Sequence, residues 1–125
     1  MKEIKDTVRA SVHVGYDGRV HKIFKGTDAR KRFETEAKVL ELLAQRGCPN
    51  VPRLLEKHPE SLKIVTTNCG HPVTKLGEER VGEMFDELEK TYGVRHNDRF
   101  LRNITYDHRR GSFCVIDFEL AELLW

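Results

Sequence analysis

Two groups of polar residues flank a predicted apolar hairpin near the end of the chain. His96, Asp98 and Asn103 precede it in the order H-x-D-x-x-x-x-N, and Asp117 ends its second strand. That strand, residues 113–117, is apolar up to Asp117 and is separated from the first by a turn-like stretch that ends in glycine. If these residues form one site, both polar groups must lie close together.

The rest of the chain alternates between strand and helix patterns. A strong turn signal, Gly15-Tyr16-Asp17-Gly18, separates two stretches of alternating apolar and polar residues and predicts a β-hairpin. A helix follows, for which Thr27 or Asp28 can provide the cap and Gly47 the end. The predicted strands are 8–14, 19–24, 51–57, 62–67, 104–106 and 113–117, with a second helix near 77–92 and a further strand possible at 1–5. This order predicts one α+β domain, residues 1–125.

Length and composition exclude several classes of protein. A chain of 125 residues with 34% charged and 38% apolar residues can form an ordered core without disulfides. Its net charge of +2 is mixed along the chain, so we expect no nucleic-acid partner. No apolar run approaches the ~18 residues that cross a bilayer, and the first residues do not resemble a secretory signal. Cys48, Cys69 and Cys114 are scattered and suggest reduced thiols. We therefore expect a cytoplasmic protein without membrane contact.

The first helix carries a carboxylate at the edge of its apolar stripe. Glu36 lies three residues after Phe33 and four before Leu40, which both fall on that stripe. Burying an unpaired charge costs several kcal/mol or more, so Glu36 requires a cationic partner. Lys22, inside the second predicted strand, can provide it.

Four segments, in this order, resemble the protein-kinase-like superfamily. Residues 20–24 resemble the strand that carries the ATP-binding lysine, and residues 32–37 resemble the helix that carries its glutamate partner. Residues 94–104 resemble the catalytic loop, and residues 115–119 resemble the Asp-Phe motif that follows a short hairpin. The resemblance covers about residues 8–121.

This resemblance implies a small protein-kinase-like fold. It predicts a reduced N-lobe over about 1–67, with an antiparallel sheet and one helix, and a hinge at 68–72. The predicted truncated C-lobe, 73–125, contains one long helix, the catalytic loop and a β-hairpin. Apolar residues near the end of the chain then suggest a homodimer or a partner protein that covers the lower lobe: Leu120, Ala121, Leu123, Leu124 and Trp125.

The resemblance also implies ATP and Mg²⁺ as cofactors and assigns roles to five residues. Lys22 would hold the α- and β-phosphates, fixed by an ion pair with Glu36. Asp98 would orient the acceptor hydroxyl and take its proton. Asn103 and Asp117 would bind Mg²⁺ through oxygen atoms.

The sequence departs from the family pattern at several positions. Gly15 and Gly18 fit a hairpin turn better than a glycine-rich phosphate loop. Glu119 replaces the last glycine of Asp-Phe-Gly, as an acidic residue often does in aminoglycoside and choline kinases, and either adds a metal ligand or faces solvent. Phe100 stands where serine/threonine kinases usually have lysine. Arg102 either reaches a phosphate or the acceptor, or forms a surface salt bridge.

Together these features favour an ATP- and Mg²⁺-dependent phosphotransferase, in particular a minimal serine/threonine protein kinase that transfers the γ-phosphoryl group to a hydroxyl. A small-molecule kinase of the aminoglycoside type remains an alternative. A catalytically inactive pseudokinase that acts as a binding module is another. The acceptor would be a protein or a small molecule with a hydroxyl group.

Overall fold

A computed structural model describes residues 2–125, with side chains from Lys5 onward. The α+β prediction is confirmed: two helices pack with antiparallel sheets. A short 3₁₀ turn also spans Leu101–Asn103. The strands and helices are β1 Lys2–Asp6, β2 Ala10–Val14, β3 Val20–Phe24, α1 Ala29–Gln45, β4 Leu54–His58, β5 Lys63–Thr66, β6 His71–Pro72, α2 Glu78–Tyr92, β7 Val94–Arg95, β8 Ile104–Asp107, β9 Ser112–Val115 and β10 Glu122–Leu123.

A five-stranded antiparallel sheet, with strand order β1-β2-β3-β5-β4, forms the first half of the fold. One row of directly paired residues crosses it: Lys5, Val12, Lys22, Ile64 and Lys57. Directly paired residues on antiparallel strands share a face of the sheet. The row therefore places a lysine at each edge and a third, Lys22, at the centre of one face.

Helix α1 packs against this sheet through its apolar stripe. Phe33, Leu40 and Leu43 are at most 3% exposed, and the Phe33 ring meets Phe24 edge to face at 5.9 Å. The helix is found where the sequence predicts it, and Asp28, one of the two predicted cap residues, occupies the N-cap position. Asp28 has a left-handed backbone (φ 56°) and makes no side-chain cap bond, whereas a capping side chain normally requires an extended backbone.

The second half of the fold contains α2 and two small sheets. The predicted hairpin forms between β8 and β9, and β6 adds a third strand through the pairing of His71 with Tyr106. Part of the stretch predicted as a hinge, residues 68–72, therefore belongs to this sheet. One hydrophobic core joins both halves, with Leu43 of α1, Phe85 of α2 and Phe118 fully buried within it. Neither helix within residues 2–125 has both the length and the apolar character needed to cross a bilayer.

The residues after Glu119 do not form one exposed apolar surface. Leu120, Leu124 and Trp125 are 38%, 39% and 61% exposed, but Ala121 is buried and Leu123 is half-buried. The expectation that all five apolar residues here are exposed is therefore wrong. The physical reason is local, since the Ala121 amide turns back to the Phe118 carbonyl and β10 then pairs with β7.

Gly70 is fixed by both its backbone and its surroundings. Its φ is +92°, and a Cβ at this position would overlap the Tyr106 carbonyl oxygen. Gly18 also has a positive φ, +78°, but its Cβ position is open.

We predict that Gly18→Ala lowers the free energy of unfolding by about 1–2 kcal/mol, the usual cost of a left-handed alanine. Gly70→Ala must cost more, because the clash adds to it. Urea unfolding of both variants measures this, and equal losses would contradict it.

Candidate active site

A buried ion pair joins β3 to α1. The Nζ atom of Lys22 lies 2.7 Å from Oε1 of Glu36, and the two side chains are only 11% and 4% exposed. The alternation of β3 turns Lys22 toward the helix, and the spacing in α1 turns Glu36 toward the sheet. The pairing predicted from the edge of the apolar stripe is therefore present.

The same lysine contacts two carboxylates that follow β9. Its Nζ lies 3.1 Å from Asp117 Oδ1 and 3.3 Å from Glu119 Oε2. The second oxygen of Glu36 accepts a hydrogen bond from the Phe118 amide at 2.7 Å, which ties helix α1 to this segment. Burial alone would lower the pKa of Lys22, but Glu36, Asp117 and Glu119 outweigh it and hold the pKa above its ordinary value. Lys22 therefore remains an ammonium group.

A buried arginine, Arg32, contacts Glu119, one of the three carboxylates around Lys22. The Arg32 guanidinium donates to the backbone carbonyls of Thr27, Arg9 and Lys25, and its Nη1 lies 3.3 Å from Glu119 Oε2. Glu119 is 8% exposed, so the interpretation that it faces solvent is wrong. Its carboxylate is buried because it is shared between two cations, Arg32 and Lys22.

Asp117 occupies a left-handed backbone conformation, with φ 67°. Such a backbone is unfavourable for a residue with a Cβ and persists where the surroundings fix it. Here Lys22 binds Oδ1, and Lys5 Nζ lies 3.7 Å from Oδ2. Burial acts to raise the pKa of Asp117, but Lys22 and Lys5 outweigh it and hold the pKa below its ordinary value. The carboxylate is therefore ionised at neutral pH.

Asp98 is held by the residues that follow it in the loop. Asn103 Nδ2 donates to the Asp98 backbone carbonyl and to Oδ2, both at 2.8 Å. Arg102 Nη2 lies 2.7 Å from Oδ1. The Asp98 side chain is 19% exposed and Arg102 is 64% exposed, so this salt bridge sits at the surface end of the site.

His96 connects the two loops through hydrogen bonds of both ring nitrogens. Its Nδ1 accepts a hydrogen bond from the Asp98 amide at 3.1 Å, so the ring proton must be on Nε2. Nε2 then donates a hydrogen bond to the Ile116 carbonyl at 2.9 Å. Its ring packs edge-on between Phe85 and Phe118, with centroids 5.0 Å from each. His96 thereby fixes Asp98 relative to Asp117.

A cavity of about 310 Å³ lies between the five-stranded sheet and the β8–β9 hairpin. Most of the residues predicted for the site line it: Lys22, Glu36, Arg102, Asn103 and Asp117. Asp98 adjoins this lining through Asn103 and Arg102, while Glu119 lies behind Lys22 toward Arg32. Apolar side chains such as Val12, Val20 and Ile116 form much of the remaining wall. The volume is at the lower end of ligand pockets.

Of the three predicted magnesium ligands, Asp117 and Asn103 fit the metal better than Glu119 does. Asp117 and Asn103 both line the cavity, and because Asn103 Nδ2 is used on Asp98, its amide oxygen is the atom it can offer. Carboxylate and amide oxygens suit Mg²⁺. Carboxylate oxygens of Glu36, Asp117 and Glu119 also lie within 4.8 Å of one another. Glu119, however, is already neutralised by Arg32 and Lys22, which fits an ion-pair role.

Sequence reasoning missed two cations of the site, Lys5 and Arg32. Arg32 lies four residues before Glu36, so helical spacing alone places both on one face. Lys5 pairs with Val12 in the sheet, but the register of β1 is not evident from five residues. No model of a known protein family matches the chain, and no curated protein is significantly similar to it in sequence.

Replacing Lys22 tests whether it neutralises the buried carboxylates. Lys22→Met leaves Glu36, Asp117 and Glu119 short of one cation, and we predict a loss of about 3–5 kcal/mol in the free energy of unfolding. Lys57→Met, which removes an exposed lysine from the same row of the sheet, should cost at most about 1 kcal/mol. Chemical denaturation compares the two, and similar losses would show that the cluster does not depend on Lys22.

His96 predicts a pH dependence of stability. Burial lowers the pKa of His96 below its ordinary value of 6.5, so the unfolded chain binds this proton at a higher pH than the folded chain does. Its contribution is complete above about pH 6.5 and is lost as pH falls toward the lower folded pKa. We therefore expect His96→Gln to flatten the loss of stability between about pH 7 and 5. Unfolding curves across this range measure it, and identical slopes would contradict the assignment.

Proposed function

We propose that this chain is an ATP- and Mg²⁺-dependent phosphotransferase with a protein-kinase-like fold, which moves the γ-phosphoryl group of ATP to a hydroxyl. One observation carries the proposal. Lys22, paired with Glu36, meets Asp117 at one wall of a cavity, and the Asp98–Asn103 pair adjoins the same cavity. Phosphoryl transfer depends mainly on positioning and charge neutralisation, which is what such a set of groups supplies.

The cavity offers different surfaces to the two ends of a nucleotide. Val12 and Val20 of the sheet and Ile116 from the opposite side provide apolar walls for a flat base. Lys22 and Asp117 supply charged groups in the same lining, and the phosphates would be placed beside them. A phosphate can replace Asp117 or Glu119 as a partner of Lys22 while Glu36, at 2.7 Å, keeps the ammonium in place.

Bound Mg²⁺ would neutralise phosphate charge, with Asp117 and Asn103 as its protein ligands. Asp98 would orient the acceptor hydroxyl and take its proton as the hydroxyl oxygen bonds to the γ-phosphorus, while the bond from that phosphorus to the oxygen of ADP breaks. Asn103 fixes Oδ2 of Asp98. The side chain of Arg102 is long and exposed, so it can leave Oδ1 of Asp98 and contact the transferred phosphoryl group.

The surroundings of Asp98 favour a protein acceptor with a serine or threonine side chain. Phe100 is 55% exposed and Arg102 is 64% exposed, and the guanidinium of Arg102 stacks over the Phe100 ring at 4.5 Å. This open surface gives access to a side chain carried by a protein. The feature that pointed to a small-molecule kinase, Glu119, is engaged by Arg32 and Lys22.

A second candidate is a nucleotide-binding module without catalysis. It is favoured by the turn between β1 and β2, where backbone amides of Thr7, Arg9 and Ala10 bond within the turn. Phosphate-binding loops normally direct such amides at the phosphates. This turn therefore offers fewer groups that could position the γ-phosphate for transfer. Both candidates require nucleotide in the cavity, and they differ only in whether transfer follows.

Transfer from γ-labelled ATP distinguishes the two candidates. We predict labelling of a serine/threonine peptide mixture or of the chain itself, and a loss of about 10²-fold or more in Asp98→Ala with ATP binding retained. Asp117→Asn should lose transfer as well, because it weakens the metal site. Asp86→Asn, an exposed aspartate paired with Arg99, is the control and should be unchanged.

Each outcome of this experiment has a defined meaning. Nucleotide binding without any transfer by the wild type supports the binding module and contradicts the enzyme. Transfer that survives both Asp98→Ala and Asp117→Asn contradicts the assigned site. A wild type that binds no nucleotide contradicts both candidates.

A further inference from the structure

The turn between β1 and β2 uses its own backbone amides. The Thr7 amide donates to the Ala10 carbonyl at 2.9 Å, and the Arg9 and Ala10 amides both donate to Thr7 Oγ1 at 3.2 Å. Val8 at its tip is 86% exposed. Anion-binding loops work by aiming successive backbone N–H groups at a phosphate, and three of those groups are already engaged here. A phosphate bound in the cavity would therefore depend more on cationic side chains than on these amides.

Strand β1 brings a lysine to the cavity. Lys5 pairs with Val12, which in turn pairs with Lys22, so the two lysines lie on one face with a single strand between them. At ~4.8 Å between neighbouring strands, their backbones are about 10 Å apart. Their Nζ atoms nevertheless meet on one carboxylate, at 3.1 Å from Asp117 Oδ1 for Lys22 and 3.7 Å from Oδ2 for Lys5. Lys5 also lines the cavity.

The two lysines are held very differently. Lys22 is 11% exposed and contacts three carboxylates, whereas the Lys5 side chain is 47% exposed and its contact with Asp117 is long. An ion pair of that kind contributes at most about 1 kcal/mol, so little is lost when Lys5 changes partner. Lys5 is therefore kept at the cavity and remains able to move to a ligand.

Charge balance in the cluster also depends on Lys5. Lys5, Lys22 and Arg32 stand against the three carboxylates Glu36, Asp117 and Glu119, so the six groups are neutral together. Without Lys5 the cluster carries a net negative charge. That charge would face an incoming triphosphate and repel it in a site of low dielectric.

We propose that Lys5 is a phosphate-binding residue for the nucleotide, a role that the amides of the β1–β2 turn do not fill. This inference rests on the proposed function, since it assumes that a nucleotide occupies the cavity. It assigns Lys5 to the phosphates and not to the base, because its Nζ reaches the Asp117 end of the cavity.

Calorimetric titration with ATP and with adenosine tests the assignment, with and without Mg²⁺. Lys5→Met should weaken ATP binding about tenfold, as expected for one charge-assisted hydrogen bond, and change adenosine binding less than about twofold. Lys5→Arg should restore most of the ATP affinity. Lys57→Met is the matched control, because Lys57 ends the same row at the opposite edge of the sheet, is 52% exposed and pairs with Glu41. It should bind both ligands as the wild type does.

The outcomes separate this inference from the proposed function. If the wild type binds ATP and Lys5→Met binds it equally well, the role of Lys5 is refuted and the proposed function stands. Equal weakening of ATP and adenosine refutes it too, because Lys5 would then support the cavity as a whole. If the wild type binds neither ligand, the proposed function itself fails, and the inference fails with it.

Discussion

The structure depends on one buried ammonium group. Lys22 neutralises carboxylates that come from 14 and 95 residues further along the chain, Glu36 in α1 and Asp117 after β9. Unpaired charges at these depths would cost several kcal/mol each, so this cation stabilises the packing of the sheet, the helix and the C-terminal segment. The same constraint fixes the ammonium group at the cavity wall, because Glu36 holds it at 2.7 Å.

Hydrogen bonds join the loops that carry the two aspartates to each other. His96 links the Asp98 amide to the Ile116 carbonyl, and Asn97 Nδ2 donates to the Leu120 carbonyl at 3.0 Å. Asn97 and Asp117 both have left-handed backbones, with φ 68° and 67°. Left-handed conformations of non-glycine residues are costly and concentrate at functional sites. Here they aim two acidic side chains at neighbouring regions of one cavity.

Much of this arrangement could be predicted from the sequence, because it follows from local periodicity. The stripe in α1 predicts that Glu36 needs a partner, while the expectation that Asp98 and Asp117 converge rests on the resemblance of their segments to the kinase-like superfamily. The burial of Glu119 could not be predicted in this way, since it requires Arg32, 87 residues distant. The position of Lys5 depends on the register of β1, which five residues do not specify. Strands of two residues, such as β7 and β10, are too short to show any alternation, and the burial of Ala121 depends on them.

The most direct measurement is a crystal structure with Mg²⁺ and a non-hydrolysable ATP analogue. We expect the base between Val12, Val20 and Ile116, a phosphate on Lys22 with Glu36 still paired to it, and the metal on Asp117 and Asn103. The γ-phosphate should point toward Asp98. A nucleotide bound outside this cavity, or an occupied cavity in which Lys22 and Asp117 touch neither phosphate nor metal, would contradict this expectation.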